Sequence, residues 1–415
     1  MKLTIIRLRR DVFLVSLLVF LACMMPRYIG VFKVKIGINI SLYDIFVLLV
    51  WGLFAKKRLL KKQYEVIFFI IWLIWTVLSF WRANAVNLWA YYVLYLGVTI
   101  LFLQYLIRIS DVFVFEAIPK ALSTALFVHL VIGLYEITSH RYLFEVGQFS
   151  KRYYGKVGVS VFHNPNDYST FVIVILPFIV YLLAHEKQFV KKLWYCLLVA
   201  LSILMLIINE SRLAVLSLLV LGVLYMLVLT RKSKYRILYY LLFFVVLAAF
   251  FSFSKSRVWL MNMLHENSLN LSKNSDQIRL NLIKNGFYFL RKTYGFGVGA
   301  GNLHEWLATK SIYYIGTIRY MHNWYIEILA TFGVVIFTLY LIFHIRVILT
   351  LIHNSTTEKN ILGINTGYLL SFLCFTLMSV SSSTNVYSEW VWMYLAVFSA
   401  YTVYSLSSQK HGKQT

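Results

Sequence analysis

Two arginines, a histidine and a glutamate stand out in a 415-residue chain in which only 13% of residues are charged. Arg212 lies between two apolar runs and Arg279 in a long polar segment. His322 directly precedes another apolar run that holds Glu327. Guanidinium groups bind phosphate oxygens strongly, and a neutral imidazole accepts a proton near neutral pH. Charges at the mouth of a helix bundle can mark the path of a substrate. Single charges at the edge of an apolar run also serve as interface anchors, so both interpretations stay open.

Two further segments have the composition of a helix start. In Asn164-Pro165-Asn166-Asp167, a capping residue is followed by a proline suited to the first helical position, and an acid comes three residues after the cap. Asn323 is a plausible cap for the apolar run that follows it. A helix start that faces a cavity also binds anions. Each segment is therefore either a well-formed helix start or one wall of a binding site.

Alternating glycines mark the long polar segment: Gly295, Gly297, Gly299 and Gly301, followed by Asn302. They resemble a dinucleotide fingerprint only in their glycines, because no βαβ unit fits around them in this chain. Glycine lets the backbone approach another group closely. The repeat therefore predicts a flexible loop whose backbone lies next to a ligand.

Membrane helices must position these residues. The chain is 60% apolar with a mean hydropathy of +0.73, whereas soluble domains carry about 25% charged residues. Its apolar runs are continuous rather than alternating, which predicts helices. At about 20 apolar residues a span, we expect an all-α bundle of about twelve transmembrane helices. The predicted spans are roughly 12–25, 36–54, 64–81, 86–107, 112–138, 165–184, 193–209, 213–230, 236–253, 323–345, 361–380 and 386–406.

Orientation follows from the net charge of +24. Basic residues in 2–10, 56–62, 187–192 and 231–236 all fall on one side if twelve spans alternate, and the positive-inside rule assigns that side to the cytoplasm. We therefore expect one integral membrane domain over 1–415 with both termini inside. Two segments, 139–164 and 254–322, then lie outside. Apolar residues at helical spacing in the second, from Ile278 to Leu290, predict an amphipathic helix suited to the membrane surface.

Several motifs are absent from the sequence: a Walker motif, a metal-binding pair of aspartates near the first outside loop, and a His/Cys cluster with zinc spacing. Cys23, Cys196 and Cys374 all lie in apolar runs. Chemistry outside would have no ATP, so the substrate must carry its own activation. A sugar linked to a lipid through pyrophosphate meets that requirement.

Four motifs, and the order in which they follow one another, resemble those of the bacterial O-antigen polymerase and O-antigen ligase family. This family includes capsule, exopolysaccharide and teichuronic acid polymerases. The motifs are Asn164-Pro165-Asn166-Asp167 with Arg152 and Gly155 upstream, then Glu210-Ser211-Arg212, then Arg279 with the glycine repeat, and last His322-Asn323 followed nine residues later by Gly333. Together they cover about 150–335. Leu213 and Ile336 stand where glycine is common in the family, which weakens any assignment to its ligase branch.

The resemblance implies a fold like that of C-type glycosyltransferases and a donor glycan on undecaprenyl pyrophosphate, with neither a metal nor another cofactor. By position, it implies that Arg212 and Arg279, assisted by Arg152, bind the donor pyrophosphate. His322 would act on the acceptor hydroxyl, with Glu327 as a second candidate base or an orienting group. Residues expected to shape the cavity are Asn164, Asn166, Asp167, Gly297, Gly299 and Asn323.

The family resemblance favours a polysaccharide polymerase that joins lipid-linked repeat units at the outer face of the bacterial cytoplasmic membrane. Its expected partners are the lipid-linked donor and acceptor, membrane lipids, a chain-length regulator and a flippase, and no nucleic acid. A ligase that passes the glycan to another acceptor is one alternative. A transporter or flippase is the other, but it would be expected to show related halves, charges in mid-membrane and short outer loops.

Overall fold

The computed structural model describes residues 2–26, 32–33, 39–54, 63–144, 156–162, 164–230, 235, 237–238, 240–241, 275–357, 362–380, 382 and 384–412. Two short strands, β1 (Phe32–Lys33) and β2 (Asn39–Ile40), pair antiparallel. The main helices are α1 (Lys2–Met24), α2 (Leu42–Phe54), α3 (Tyr64–Leu78), α4 (Val86–Arg108), α5 (Val112–Ser139), α6 (Pro165–His185), α7 (Phe189–Ile208), α8 (Arg212–Thr230), α9 (Ser275–Lys292), α10 (Leu303–Thr309), α11 (Trp324–Thr357), α12 (Ile364–Met378) and α13 (Glu389–Gly412). A 3₁₀ turn, Ser79–Arg82, follows α3.

Seven stretches within the described residues are helical, long and apolar enough to cross a membrane: Tyr64–Arg82, Val86–Arg108, Val112–Ser139, Pro165–His185, Phe189–Ile208, Arg212–Thr230 and Trp324–Thr357. Two shorter apolar helices, Leu42–Leu53 and Ile364–Met378, accompany them. The protein is thus an all-α polytopic membrane protein, as predicted. Twelve spans remain a prediction, because most of 236–253 lies outside the described residues. The helix α1 begins earlier than the predicted first span because helical backbone continues through the basic tail.

A buried aromatic cluster fixes the first turns of α11 against two other helices. Trp72 of α3 lies 5.3 Å from Trp392 of α13 and 5.4 Å from Phe332 of α11 between ring centroids. Trp324, the first residue of α11, donates its indole N–H to the hydroxyl of Tyr340 at 2.8 Å. Large aromatic rings bury much apolar surface in fixed geometries. The cluster therefore holds the residues next to Trp324 in a defined place.

Polar connections between helices gather at one end of the bundle, called the loop end below. The backbone N–H of Asn84 donates to the side-chain oxygen of Asn302, and the backbone N–H of Gly158 donates to that of Asn209. The N–H of Trp324 donates to the carbonyl of Ser379 at 2.8 Å. The described parts of 139–164 and 254–322, which the sequence predicts on one side, thus lie at the same end.

The glycine repeat packs against a break in α11. Gly333 has φ 79° and ψ −176°, which interrupts the 34-residue helix. Three backbone hydrogen bonds of 2.8–2.9 Å join the two segments. The N–H groups of Val298, Gly299 and Val334 donate to the carbonyls of Ala330, Thr331 and Gly295, respectively. Gly297 has φ 77°, and a Cβ there would meet the backbone of Thr331 and Gly333. The glycine backbone thus packs closely against α11 of this chain, and the predicted approach to a ligand stays a prediction.

Gly333→Ala is expected to lower the free energy of unfolding by about 3 kcal/mol or more, because alanine strains the backbone at this positive φ. Its Cβ would also overlap the carbonyl group of Gly295. The matched control is Gly52→Ala in α2, where a Cβ meets nothing within 4 Å and alanine favours the helix by up to about 1 kcal/mol. Thermal unfolding in detergent measures both variants. Equal melting temperatures would contradict the account.

The predicted amphipathic helix is α9, and part of its apolar face packs on the protein itself. Leu282 and Phe289 are buried in a small core with Leu303, Leu307 and Met321, whereas Phe287 is 53% exposed. The side chain of Asn285 bonds the backbone of Ile312 and Tyr313 at 2.9–3.1 Å. Polar and apolar contacts together fix α9 at the loop end. They do so through residues other than the charged ones in its first turn.

Candidate functional site

The start of α6 forms as the sequence predicts. Asn164 caps the helix, since its side-chain oxygen accepts the backbone N–H groups of Asn166 and Asp167 at 2.9 and 3.0 Å. Its amide also donates to the carboxylate of Asp167 at 2.7 Å. Pro165 is the first helical residue. The capping interpretation is thus confirmed, and the carboxylate of Asp167 is held in a fixed orientation by Asn164.

The segment before this cap is tied to two neighbouring helices. The buried carboxylate of Glu136, in α5, accepts the backbone N–H groups of Val159 and Ser160, both at 2.8 Å. Asn209, just after α7, accepts the N–H of Gly158 at 3.0 Å and lies 3.4 Å from the hydroxyl of Ser169 in α6. Because Asn209 is three residues before Arg212, these bonds fix the start of α6 relative to the start of α8.

Two arginines and one aspartate from two helix starts form what we call the cationic cluster: Arg212, Asp276 and Arg279. The guanidinium of Arg212, the first residue of α8, lies 3.1 Å from the carboxylate of Asp276 in the first turn of α9. Burial lowers the pKa of Arg279; the charge of Asp276 opposes this, and that of Arg212 lowers it further. Within the described residues Arg279 has no ion pair inside 4 Å. The cluster therefore carries more positive than negative charge.

His322 lies next to this cluster. Its pKa is lowered to about 4, first by burial and then by the positive charge of Arg279. The imidazole is therefore neutral at pH 7. Its Nδ1 atom is buried and has no hydrogen-bond partner among the described residues, and its backbone has φ 50°. A strained backbone and a buried nitrogen without a hydrogen bond are both common at functional sites, where a substrate can supply the missing partner.

Glu327 belongs to a second group, which we call the acidic cluster: Glu327, Asp167, Tyr320 and Thr384. One carboxylate oxygen of Glu327 accepts the hydroxyl of Thr384 at 2.6 Å, whereas the other is buried without a partner among the described residues. Burial raises the pKa of Tyr320, and the negative charges of Glu327 and Asp167 raise it further, so both acids lie within electrostatic range of its hydroxyl. The loop end thus contains the acidic cluster in addition to the cationic cluster.

The structure brings some predicted site residues together and separates others. Arg212, Arg279 and His322 lie far apart in the chain but near enough in space that the charge of Arg212 lowers the pKa of Arg279 and the charge of Arg279 lowers the pKa of His322. Glu327 makes no hydrogen bond to His322, so it does not orient that histidine by direct contact. Asn323 caps α11 through the N–H of Ile326 at 3.1 Å. Arg152 lies outside the described residues.

The remaining predicted wall residues take part in the protein's own contacts. Asn166 bonds the side chain of Asn164 through its backbone N–H and accepts the hydroxyl of Thr170 with its carbonyl. Gly297 and Gly299 are buried against the helix break described above. Their part in forming a cavity is indirect, because they fix the segment that leads from α9 to α11.

Sequence reasoning missed three members of the two clusters. Asp276 lies one helical turn before Arg279, a spacing that could have indicated a shared face. Tyr320 is two residues before His322. Thr384 lies in a polar run between two apolar helices, and such runs at the ends of spans are signals of a polar site. Nothing in the local sequence ties Thr384 to Glu327, since 56 residues separate them.

No group of three histidine, cysteine, aspartate or glutamate side chains placed to hold a metal ion occurs in the part of the chain that the structure describes. The donors present are guanidinium groups and neutral imidazole, with carboxylates nearby. Such a set binds an anion and moves a proton.

Comparison with known proteins bears on the same residues. Residues 197–341 match the family model described as O-antigen ligase, and that stretch contains Arg212, Arg279, His322 and Glu327. The chain is also 27% identical over 345 residues to the teichuronic acid biosynthesis protein TuaE of Bacillus subtilis (strain 168). This alignment covers 80% of the chain and 70% of that relative. Both findings confirm the resemblance that the four motifs indicate.

Proposed function

From the O-antigen ligase and polymerase family that both comparisons support, we propose that this protein is a polysaccharide polymerase of the bacterial cytoplasmic membrane. It joins repeat units carried on undecaprenyl pyrophosphate at the outer face of that membrane. The observation that carries the proposal is the proximity of Arg212, Arg279 and His322 at one end of an apolar helix bundle, where their charges influence one another. Both termini then lie in the cytoplasm, and the loop end faces outward.

The reaction is a glycosyl transfer. The acceptor hydroxyl of one lipid-linked unit attacks the anomeric carbon of a second unit's glycan. A new C–O bond forms there as the bond to the pyrophosphate oxygen breaks. The hydroxyl proton passes to a base, and undecaprenyl pyrophosphate leaves with the bonding electrons. The energy comes from the sugar–pyrophosphate bond, so the reaction needs neither ATP nor a nucleotide sugar.

The cationic cluster supplies what the leaving group needs. Negative charge grows on the bridging oxygen as the sugar–oxygen bond breaks, and preorganised positive groups stabilise that charge more in the transition state than in the ground state. Arg212 and Arg279 present two guanidinium groups to the pyrophosphate, and Arg152 assists. Because Arg279 is partly buried, its charge is screened less than that of an exposed arginine.

His322 is the proposed base, with Glu327 as the second candidate. A neutral imidazole is ready to accept the acceptor's proton, and its buried Nδ1 is free for such a bond within the described residues. A pyrophosphate bound at Arg279 offsets the positive charge that disfavours the imidazolium. Donor binding therefore raises the basicity of His322 when the base is needed. Asn164, Asn166, Asp167 and Asn323 frame the cavity, and Gly297 and Gly299 shape it indirectly by fixing the segment from α9 to α11.

A ligase is the second candidate function, because the matched family model is described as O-antigen ligase. It would use the same donor and pass the glycan to another acceptor. The relative TuaE is named for teichuronic acid biosynthesis and not for ligation, which supports the polymerase proposal for this chain. A flippase is the third, less favoured alternative.

Purified protein in nanodiscs, given lipid-linked repeat units and no ATP, is expected to lengthen them into a ladder of products. Gel analysis of the lipid-linked glycan measures the ladder, and the Arg212→Ala protein serves as the control without activity. Transfer only after another acceptor is added would favour the ligase. Movement of the lipid across a sealed vesicle without elongation would favour the flippase and contradict both transferases.

A further inference from the structure

The cationic cluster contains a carboxylate where the proposed reaction needs phosphate. Asp276 lies 3.1 Å from the guanidinium of Arg212 and is near enough to Arg279 to influence its pKa. Carboxylate and phosphate oxygens compete for the same guanidinium donors. Resting on the proposed function, we propose that Asp276 occupies part of the donor pyrophosphate site and is displaced from Arg212 when the donor binds.

The ion pair between Arg212 and Asp276 is partly exposed to solvent. The side chain of Arg212 is 34% exposed and that of Asp276 is 61% exposed. Ion pairs exposed to this degree contribute little to stability, because water and salt screen them. A pyrophosphate diester carries two negative charges against one on the carboxylate. It therefore outcompetes Asp276 for two arginines that lie close together.

Other contacts, not this pair, hold α9 in place. Asn281 and Asn285 bond the backbone of 312–314 at 2.8–3.1 Å. A Cβ on Gly286 would meet the side chain of Ile326 at 2.5 Å, so the two helices touch there. Leu282 and Phe289 are fully buried. Asp276 can thus leave Arg212 while Arg279 and the rest of α9 keep their positions.

The exchange has a consequence for turnover. With the site empty, Asp276 keeps two like charges from facing each other uncompensated. After transfer, the same carboxylate returns to Arg212 as undecaprenyl pyrophosphate leaves. Asp276 is a positioning residue in this account, since it acts through Arg212 and touches no reacting atom. It makes donor binding weaker than two unpaired arginines would allow.

Binding of undecaprenyl pyrophosphate to the full-length protein in nanodiscs tests the proposal. Asp276→Asn is expected to tighten binding by about two- to five-fold, the range set by weak exposed ion pairs, and to lower KM for the lipid-linked donor. Asp276→Glu keeps the carboxylate and is expected to bind as the unaltered protein does. Glu305→Gln is the charge-matched control at the loop end: its carboxylate accepts from Asn84 at 3.2 Å and forms no ion pair with Arg212 or Arg279 among the described residues.

Unchanged or weaker binding by a folded Asp276→Asn protein overturns the inference, because a merely structural ion pair would give that result. An equal gain in Glu305→Gln also overturns it, since net charge alone would then explain the effect. Arg212→Ala and Arg279→Ala test the proposed function separately. If both bind undecaprenyl pyrophosphate normally, the donor site itself is wrong and the inference falls with it.

Discussion

Replacing Arg279 with alanine is expected to lower kcat/KM for the lipid-linked donor by about 10²–10³-fold, the usual loss when one preorganised charge-stabilising donor is removed. The guanidinium is partly buried and near enough to Arg212 and His322 to share their electrostatic environment, and no described residue forms an ion pair with it. With alanine at position 279, the departing pyrophosphate loses the positive charge that solvent screens least. Arg212→Ala should have a similar effect, and polymer should disappear from cells that express either variant.

Two matched variants separate binding geometry from charge. Arg279→Lys keeps the charge but loses the planar fork that suits phosphate, so we expect it to recover only part of the activity. Arg291→Ala removes an exposed arginine from the last turn of the same helix, and its activity should stay near that of the unaltered protein. Protein level is checked by immunoblot. Normal polymer in the Arg212, Arg279 and His322 alanine variants would refute the assignment.

His322→Gln is expected to lower kcat by about 10²–10⁴-fold, the contribution of a general base. Glutamine is close in size and polarity but cannot accept a proton in this role. His304→Gln, on α10 at the same end of the bundle, is the matched control and should retain activity. Glu327→Gln should lower kcat by about tenfold or less, since His322 is the proposed base for proton transfer. A larger loss there than at His322 would transfer the role of base to Glu327.

The pH profile gives an independent check on His322. Its neutral form is the base, and its pKa of about 4 in the donor-free protein keeps kcat/KM flat until the pH falls towards 4. Bound pyrophosphate offsets the charge of Arg279, so the pKa in the complex is higher. The acid limb of kcat should therefore lie at higher pH than that of kcat/KM. An acid limb that persists unchanged in His322→Gln would show that another group causes it.

Local patterns in the sequence were sufficient for many individual elements. Long apolar runs predicted the membrane helices, because a backbone in lipid must satisfy its hydrogen bonds internally. Capping chemistry predicted the starts of α6 and α11 at Asn164 and Asn323, since a cap depends on residues within one turn. The resemblance named Arg212, Arg279 and His322 as one set. Twelve spans, the cytoplasmic termini and the residue roles stay predictions.

Tertiary structure alone decided which distant residues meet. Glycines at 295–301 and Gly333 read as separate motifs, yet they form one backbone contact. Thr384 holds Glu327, and Asp276 reaches Arg212, across separations of more than 50 residues. No periodic pattern marks such pairs, because their contact depends on how whole helices pack rather than on neighbours within a turn. The sequence by itself therefore determined the helices and the chemistry that they carry, and helix packing decided that the carboxylate of Asp276 lies against Arg212 and close to Arg279.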